Sequence, residues 1–313
     1  MNDKETNKIL SKRKKMINIH IILIIISIPQ IIMGFFFFEK NKNDNYFLYL
    51  ILNALLFFIT SILLYLFSDK SERDQYLIGL CLSIVFSFSI SITFFTDTKY
   101  YPLFIYFITL CIYHYTEYLS VLLYHFDMIS SEYFLIDQSK NWVISTSVSF
   151  AEFIIGTYFF HKYKNIKIFF IVGLIMTIIG QYFRIASLFT GKKNFTHRIR
   201  YNKVKDHELI TYGIYSISRH PSYFGFYLWS VGIEIMCCNP ICTIAFIIIL
   251  FYFFENRIIV EEGFLIQFFG EKYLEYKKNV GILIPFIKMD KKMEERNLKI
   301  YLEKKNKNIN NND

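Results

Sequence analysis

The chain has 313 residues, of which 54% are hydrophobic and 19% aromatic, and its formal net charge is +9. That hydrophobic fraction is high for a soluble domain, and it is concentrated in long uncharged runs of the kind that cross membranes. Basic residues flank these runs instead of forming one surface, so the charge indicates a lipid bilayer and membrane orientation, and it argues against a nucleic-acid partner.

Six apolar runs come first in the chain, and each is long enough to cross a bilayer as one helix. They cover residues 17–38, 46–67, 76–95, 102–124, 142–160 and 166–189. The sequence therefore predicts six transmembrane helices over residues 17–189, after a basic cytosolic N-terminus over residues 1–16. Only helices and closed barrels satisfy the backbone in lipid, and these runs lack the alternation of a barrel. The predicted fold class is all-α and polytopic.

A further apolar run over residues 222–254 carries Asn239 and Pro240 at its middle. One helix of that length would span about 50 Å, against a hydrocarbon core of about 30 Å. Proline removes a backbone N–H and disfavours helix in the residue before it, so the run divides into two halves. The sequence predicts a helical hairpin, which brings the total to about eight transmembrane helices.

The segments around the hairpin are polar. Lys and Arg concentrate before the first run, over residues 192–205 and in the tail, which predicts that both termini are cytosolic. Residues 255–278 read as an amphipathic helix. The tail over residues 289–313 alternates charge and ends in Asn and Lys, so we expect a frayed helix followed by disorder.

Two charged residues directly after the hairpin suggest a functional site. Arg257 and Glu261 are four residues apart and share one helix face. The hairpin returns them close to His220 and Tyr223, and polar groups that converge at a membrane face indicate a site. Neither HExxH nor CxxC spacing occurs, so the sequence indicates no metal site, and the five cysteines are interpreted as buried hydrophobic residues.

Several residues inside the apolar runs carry structural expectations. Gly225 and Gly232 are seven apart, which predicts tight packing of one helix face. Glu234 and Arg184 also fall within membrane runs, as do Glu117 and Glu152. A charge there must pair or face a cavity, and the sequence does not show the partners.

Five stretches of the C-terminal third carry a family resemblance. They are His207-Glu208-Leu209-Ile210, Gly213-Ile214-Tyr215, Arg219-His220-Pro221-Ser222-Tyr223, Cys238-Asn239-Pro240-Ile241-Cys242, and Phe-Phe-Gly-Glu-Lys-Tyr-Leu-Glu-Tyr over residues 268–276. In this order they resemble the isoprenylcysteine carboxyl methyltransferases, closely over residues 194–287. The Arg-His-Pro element is shared with other membrane methyltransferases and sterol reductases, whereas the last two stretches are more specific.

The resemblance implies an activity and a set of site residues over residues 190–288. The family moves a methyl group from S-adenosyl-L-methionine to the C-terminal carboxylate of the isoprenylcysteine that ends a prenylated protein, in the endoplasmic reticulum membrane. Arg257 and Glu261 would be catalytic, with Arg257 binding the substrate carboxylate. The family tends to use Gln where this chain has Arg200. The implied cofactor-binding residues are Arg200, His207, Glu208, Leu209, Ile210, Tyr215, His220, Pro221, Ser222, Tyr223 and Glu261.

Other functions remain open at this stage. A phospholipid methyltransferase of the same superfamily would need an amine acceptor, beside which Arg257 is a poor choice. A sterol reductase would need groups that bind the phosphates of NADPH. A transporter would favour inverted repeats with polar residues in both halves, whereas here the polar residues cluster at one end.

Overall fold

The computed structural model describes residues 3–40, 46–93, 96–136, 139–164, 166–204, 206–284, 286–287 and 291–310. Every regular element in these ranges is helical, as the sequence predicts. The α-helices there are α1 (Asp3–Lys40), α2 (Tyr46–Phe67), α3 (Arg73–Thr93), α4 (Tyr101–Tyr124), α5 (Lys140–Phe159), α6 (Lys167–Gly191), α7 (Pro221–Met236), α8 (Pro240–Phe269), α9 (Glu271–Asn279) and α10 (Lys291–Asn310). Short 3-10 helices occupy Thr98–Tyr100, Phe126–Met128, Ser131–Phe134, His161–Tyr163, Lys192–Asn194 and Gly213–Ser216.

The chain is a multi-pass membrane protein. Within the described ranges, five helices are long and apolar enough to cross a bilayer. These stretches are Asn7–Ile32, Arg73–Thr93, Lys140–Phe159, Lys167–Asn194 and Pro240–Phe269, and Ile51–Phe67 is a shorter apolar helix. Helices α1–α8 coincide with the eight predicted segments, while the number that crosses the bilayer stays a prediction.

The chain divides into two compact units, Met1–Phe170 and Ile171–Asp313. The sequence grouped α6 with the preceding helices, whereas from residue 171 onward α6 belongs to the second unit. The second unit contains the region in which the sequence places the site.

Helix α1 includes most of the basic N-terminus that the sequence assigns to residues 1–16, whose cytosolic location stays a prediction. Helix α1 already begins at Asp3, and Met16 is fully buried against α3 and α4. The basic side chains find partners across the first unit, because Lys12 lies 3.3 Å from the buried Glu72, which directly precedes α3, and Arg13 donates to the carbonyl of Leu123. These long-range contacts stabilise a helical start that local composition does not indicate.

In the second unit, glycines let α6 and α7 approach closely. A Cβ atom at Gly180 would lie 2.4 Å from the Trp229 nitrogen, and one at Gly173 would lie 2.5 Å from the Gly232 carbonyl oxygen. A Cβ at Gly225 would lie 2.8 Å from the Gly180 carbonyl oxygen. Both helices therefore present glycines seven residues apart, and the predicted tight packing of Gly225 and Gly232 is confirmed.

The hairpin breaks where the sequence predicts. Helix α7 ends at Met236 and α8 begins at Pro240, whose missing N–H is tolerated in a first turn. The Asn239 amide donates to Glu234 Oε2 at 2.9 Å, which identifies a partner for that buried carboxylate.

The second half of the hairpin is longer than predicted. Helix α8 does not end near residue 254 but continues to Phe269, and the expected helix over residues 255–278 is divided at Gly270. Gly270 has a φ of 57°, a conformation that glycine adopts without strain. Arg257 and Glu261 thus lie on the same uninterrupted helix as the membrane run.

The tail forms the expected helix, α10, over most of its length, and this helix is packed instead of frayed. Helix α10 packs against α8, where Asn297 lies beside Gly263 and accepts a hydrogen bond from Gln267 Nε2 at 2.8 Å. Glu294 contacts Lys277 of α9. These anchors are polar and specific, so they leave little hydrophobic periodicity by which the sequence could show them. Residues 288–290 and 311–313 lie outside the described ranges.

Candidate active site

A pocket opens in the second unit, between the polar segment that precedes α7 and the C-terminal half of α8. Its volume is about 870 Å³, a figure that includes space continuous with solvent. The residues proposed to bind a cofactor all line it: Arg200, His207, Glu208, Leu209, Ile210, Tyr215, His220, Pro221, Ser222, Tyr223 and Glu261. Five separate stretches of sequence are therefore brought together at one cavity.

Tyr223 links the two residues proposed to be catalytic. Its hydroxyl donates to Glu261 Oε2 at 2.7 Å, and Arg257 Nε donates to the same hydroxyl oxygen at 3.4 Å. The guanidinium carbon of Arg257 lies 5.5 Å from the centre of the Tyr223 ring, and its Nη2 donates to the His197 carbonyl at 3.0 Å. Arg257 therefore contacts the pocket wall through Tyr223, one helical turn before Glu261.

The adjacent glutamates have different environments. Glu261 faces the pocket with its side chain 32% exposed, while the Glu262 side chain is only 2% exposed. Glu262 lies 2.8 Å from Arg219 Nε, 3.3 Å from His220 Nε2 and 2.9 Å from Lys277 Nζ. Successive helical residues point about 100° apart, so one carboxylate is paired with cations inside the fold and the other is offered to a ligand.

His220 connects these two carboxylates. Its Nδ1 lies 3.8 Å from Glu261 Oε2, and its Nε2 faces Glu262. The imidazole stacks on Tyr223 with ring centres 5.7 Å apart and planes 3° from parallel. A change at His220 or Glu262 therefore displaces the wall that carries Tyr223 and Glu261.

His207 also lines the pocket. Its ring packs edge-on against Phe268 and Phe269, and burial, reinforced by Arg200 and Lys203, lowers the pKa of His207 to about 4. The Nδ1 atom is buried, and the described part of the chain offers it no hydrogen-bond partner. The neutral imidazole is thus available to a ligand at neutral pH.

Two predicted residues have additional contacts. Ser222 Oγ accepts from Arg184 Nη1 at 2.6 Å, so this hydroxyl also satisfies a charge on the membrane helix α6. Arg200 Nη2 donates to the Lys193 carbonyl at 2.9 Å, and burial lowers the pKa of Arg200.

Several lining residues were not predicted. Asn194 Oδ1 accepts from the Glu208 backbone N–H at 2.9 Å and fixes the position of that loop. Nothing in the sequence around Asn194 indicates this contact. Arg219 was recognised only as part of the Arg-His-Pro element. Five aromatic side chains form what we call the aromatic floor of the pocket: Phe264, Phe268, Phe269, Tyr273 and Tyr276. All except Phe264 fall within the stretch over residues 268–276, so they could have been predicted from it.

Comparison with known proteins follows the same region. A model of the isoprenylcysteine carboxyl methyltransferase (ICMT) family matches residues 172–267. Protein-S-isoprenylcysteine O-methyltransferase of Dictyostelium discoideum is 43% identical over 183 residues, which is 58% of this chain and 77% of that protein. The protein of the same name from Tribolium castaneum is 38% identical over 178 residues, 57% of this chain. That stretch spans 63% of the Tribolium protein, less than two thirds of its length.

The fold is similar to a solved structure described as the eukaryotic intramembrane Ras methyltransferase ICMT. The TM-score is 0.75 at 28% identity, covering 91% of this chain and 98% of the other. Sequence similarity over most of the Dictyostelium relative and structural similarity over nearly the whole solved chain agree. The chain belongs to the isoprenylcysteine carboxyl methyltransferase family.

Proposed function

We propose that this chain transfers a methyl group from S-adenosyl-L-methionine to the C-terminal carboxylate of isoprenylated cysteine in prenylated proteins. The observation that carries the proposal is the link that Tyr223, in the pocket wall, makes between Glu261 of the same wall and Arg257 beside it. A carboxylate that suits a cationic donor thus stands one helical turn from a guanidinium that suits an anionic acceptor.

The pocket fits a donor with both polar and apolar parts. His207 Nδ1 and Tyr273 Oη are buried atoms that lack a hydrogen-bond partner in the described ranges, and both residues line the pocket. Leu209 and Leu265 add apolar surface beside the phenylalanines. When bound, S-adenosylmethionine supplies an electrophilic methyl group on a positively charged sulfur.

Glu261 provides the negative charge that favours such a cation. Its carboxylate is oriented by the Tyr223 hydroxyl, so less reorganisation is needed when a ligand binds. A donor that fills the pocket against its aromatic residues excludes water, and this strengthens the electrostatic interaction.

Arg257 binds the acceptor carboxylate. A terminal carboxyl group has a pKa of about 3.5, so it is ionised at neutral pH and needs no general base. Catalysis is then mainly positioning, and the planar guanidinium fork orients both carboxylate oxygens. The stacking of Arg257 on Tyr223 and its bond to His197 hold the fork beside the donor pocket.

The membrane setting suits a lipid-modified acceptor. We place the protein in the endoplasmic reticulum membrane with eight crossings and both termini cytosolic, since Lys and Arg flank the same side of the predicted runs. The prenyl chain then enters from the bilayer. Cysteine labelling on sealed microsomes tests this, and protection of residues 190–204 from cytosolic reagent contradicts the orientation.

A labelling assay tests the activity. Membranes that express the chain receive donor labelled in its methyl group and S-farnesylcysteine with a blocked amine. We expect label in a base-labile methyl ester on the farnesylcysteine. Label that appears in phospholipid and not in the ester would instead favour a phospholipid methyltransferase.

A further inference from the structure

The tail helix α10 is joined to the pocket wall by consecutive ion pairs. Glu294 of α10 contacts the ammonium group of Lys277 on α9. Lys277 Nζ also lies 2.9 Å from Glu262 Oε2, so one cation stands between two carboxylates. Glu262 in turn contacts Arg219 and His220, which both line the pocket.

These pairs lie in progressively drier surroundings. The exposed fraction of the side chain falls from 29% at Glu294 to 17% at Lys277 and 2% at Glu262. Salt screens buried charges much less than exposed ones, so the position of each group depends on its charged neighbour. The last residue of these consecutive ion pairs, His220, stacks on Tyr223.

Packing alone does not hold these side chains. A second cavity, of about 670 Å³ with space continuous with solvent included, is lined by Arg219, Glu262, Lys277 and Glu294, together with Ile258 and Ile287. Space beside a charged side chain lets it shift when a partner is lost. The ion pairs, including the outermost one, therefore determine where Lys277 and Glu262 lie.

Helix α10 supplies a fixed support for this outermost pair. Asn297, one turn after Glu294, is buried and accepts from Gln267 of α8 at 2.8 Å. Glu294 is thus held on a helix that is itself anchored to the helix carrying Glu261 and Glu262.

We infer that Glu294 is a positioning residue for the methyl-donor pocket. It contacts Lys277 from α10 while Glu262 contacts Lys277 from α8, and these two contacts fix Glu262, which in turn keeps Arg219 and His220 in the pocket wall. The inference rests on the proposed function, because it assigns the pocket to S-adenosylmethionine.

Donor binding to the purified full-length protein in detergent tests the inference by calorimetry. The variant is Glu294→Gln, the matched control is Glu295→Gln on the exposed neighbouring position, and Glu294→Asp retains the charge. We expect the donor dissociation constant to rise about fivefold in Glu294→Gln, as loss of one partly exposed pair implies, with partial recovery in Glu294→Asp. The Glu295→Gln value should equal that of the unaltered protein.

Kinetics separate positioning from general stability. The Michaelis constant for the donor should rise in Glu294→Gln. The Michaelis constant for farnesylcysteine should change less than about twofold. Equal donor affinity in Glu294→Gln and Glu295→Gln, with both proteins folded, overturns the inference. Absence of donor binding by the unaltered protein refutes the proposed function instead, so the two failures are distinguishable.

Discussion

At the residue scale, Glu261 and Glu262 show how one position along a helix changes the role of a side chain. Both are glutamates beside His220, yet Glu261 borders the pocket and Glu262 is enclosed by Arg219, His220 and Lys277. Loss of a charge at the first position removes a contact to a ligand. At the second it leaves buried cations without their counter-charge, which is costly to the fold.

We therefore expect the neutral variant of Glu261 to affect ligand binding and that of Glu262 to affect stability. Glu261→Gln should weaken binding of the donor about tenfold, equivalent to about 1.4 kcal/mol, with little change in thermal stability. Glu262→Gln should destabilise the protein by about 3 kcal/mol. Calorimetry with the donor and thermal unfolding of both proteins measure these effects, and the reverse pattern would assign the ligand to Glu262.

Arg257 should tolerate replacement poorly because its geometry, and not only its charge, is used. Arg257→Lys keeps a cation but loses the planar fork, so we expect turnover to fall about tenfold. Arg257→Ala should lower it about 100-fold, comparable with removal of a transition-state donor. Donor affinity, measured in parallel, should stay within about twofold, since Glu261 is retained. Near-normal turnover of Arg257→Ala on farnesylcysteine would contradict the assignment to the acceptor.

His207 gives the site a pH dependence. Its pKa is lowered from 6.5 to about 4 by burial and by Arg200 and Lys203, so the unfolded chain binds a proton more readily than the folded protein. The stability that this residue contributes is complete above pH 6.5 and is lost as the pH falls toward 4. Thermal midpoints measured from pH 7.5 to 4 should fall less steeply in His207→Gln, and identical slopes would show that His207 does not titrate in this way.

At the element scale, the crossing of α6 and α7 depends on the absence of side chains. A Cβ at Gly180 would lie 2.4 Å from the Trp229 nitrogen, a backbone atom that cannot rotate away. We expect Gly180→Ala to destabilise the protein by about 2 kcal/mol through overpacking. Gly281 offers the matched control, because nothing lies within 4 Å of the position of its Cβ. Thermal unfolding of both alanine variants checks this, and equal midpoints would mean that the helices separate without cost.

Some elements could be predicted because their signals are local. The turn at Asn239 and Pro240 follows from what proline does to a helix, and the shared face of Arg257 and Glu261 follows from helical periodicity. The residues expected to bind the cofactor come from a family resemblance, and the structure groups them around one cavity.

Other elements depend on contacts that are distant in sequence. The helical start of α1 is stabilised when Lys12 meets Glu72, and α10 is stabilised by Asn297 and Glu294 against α8 and α9. Local composition describes both segments as charged and polar, which is also the description of disordered chain. The distinction between Glu261 and Glu262 likewise requires the position of Lys277, which lies on another helix.

At the scale of the whole molecule, the family and the membrane character follow from independent observations. Apolar helices occur in both compact units, while the polar pocket belongs to the second. The family model begins within α6 and covers most of the residues that line the pocket. The first unit therefore contributes membrane helices, and the residues that line the pocket belong to the second unit.

Because α8 is one unbroken helix, the thickness of the bilayer determines the depth at which Arg257 and Glu261 lie. Counting from Pro240, a rise of 1.5 Å per residue places Arg257 about 26 Å along the axis and Glu261 about 32 Å along it. A hydrocarbon layer of about 30 Å that begins at Pro240 therefore ends between them. Thicker lipid would immerse Glu261 as well as Arg257, and thinner lipid would bring both groups into the headgroup region. We expect turnover in vesicles of increasing acyl-chain length to pass through a maximum, since mismatch tilts or displaces such a rod.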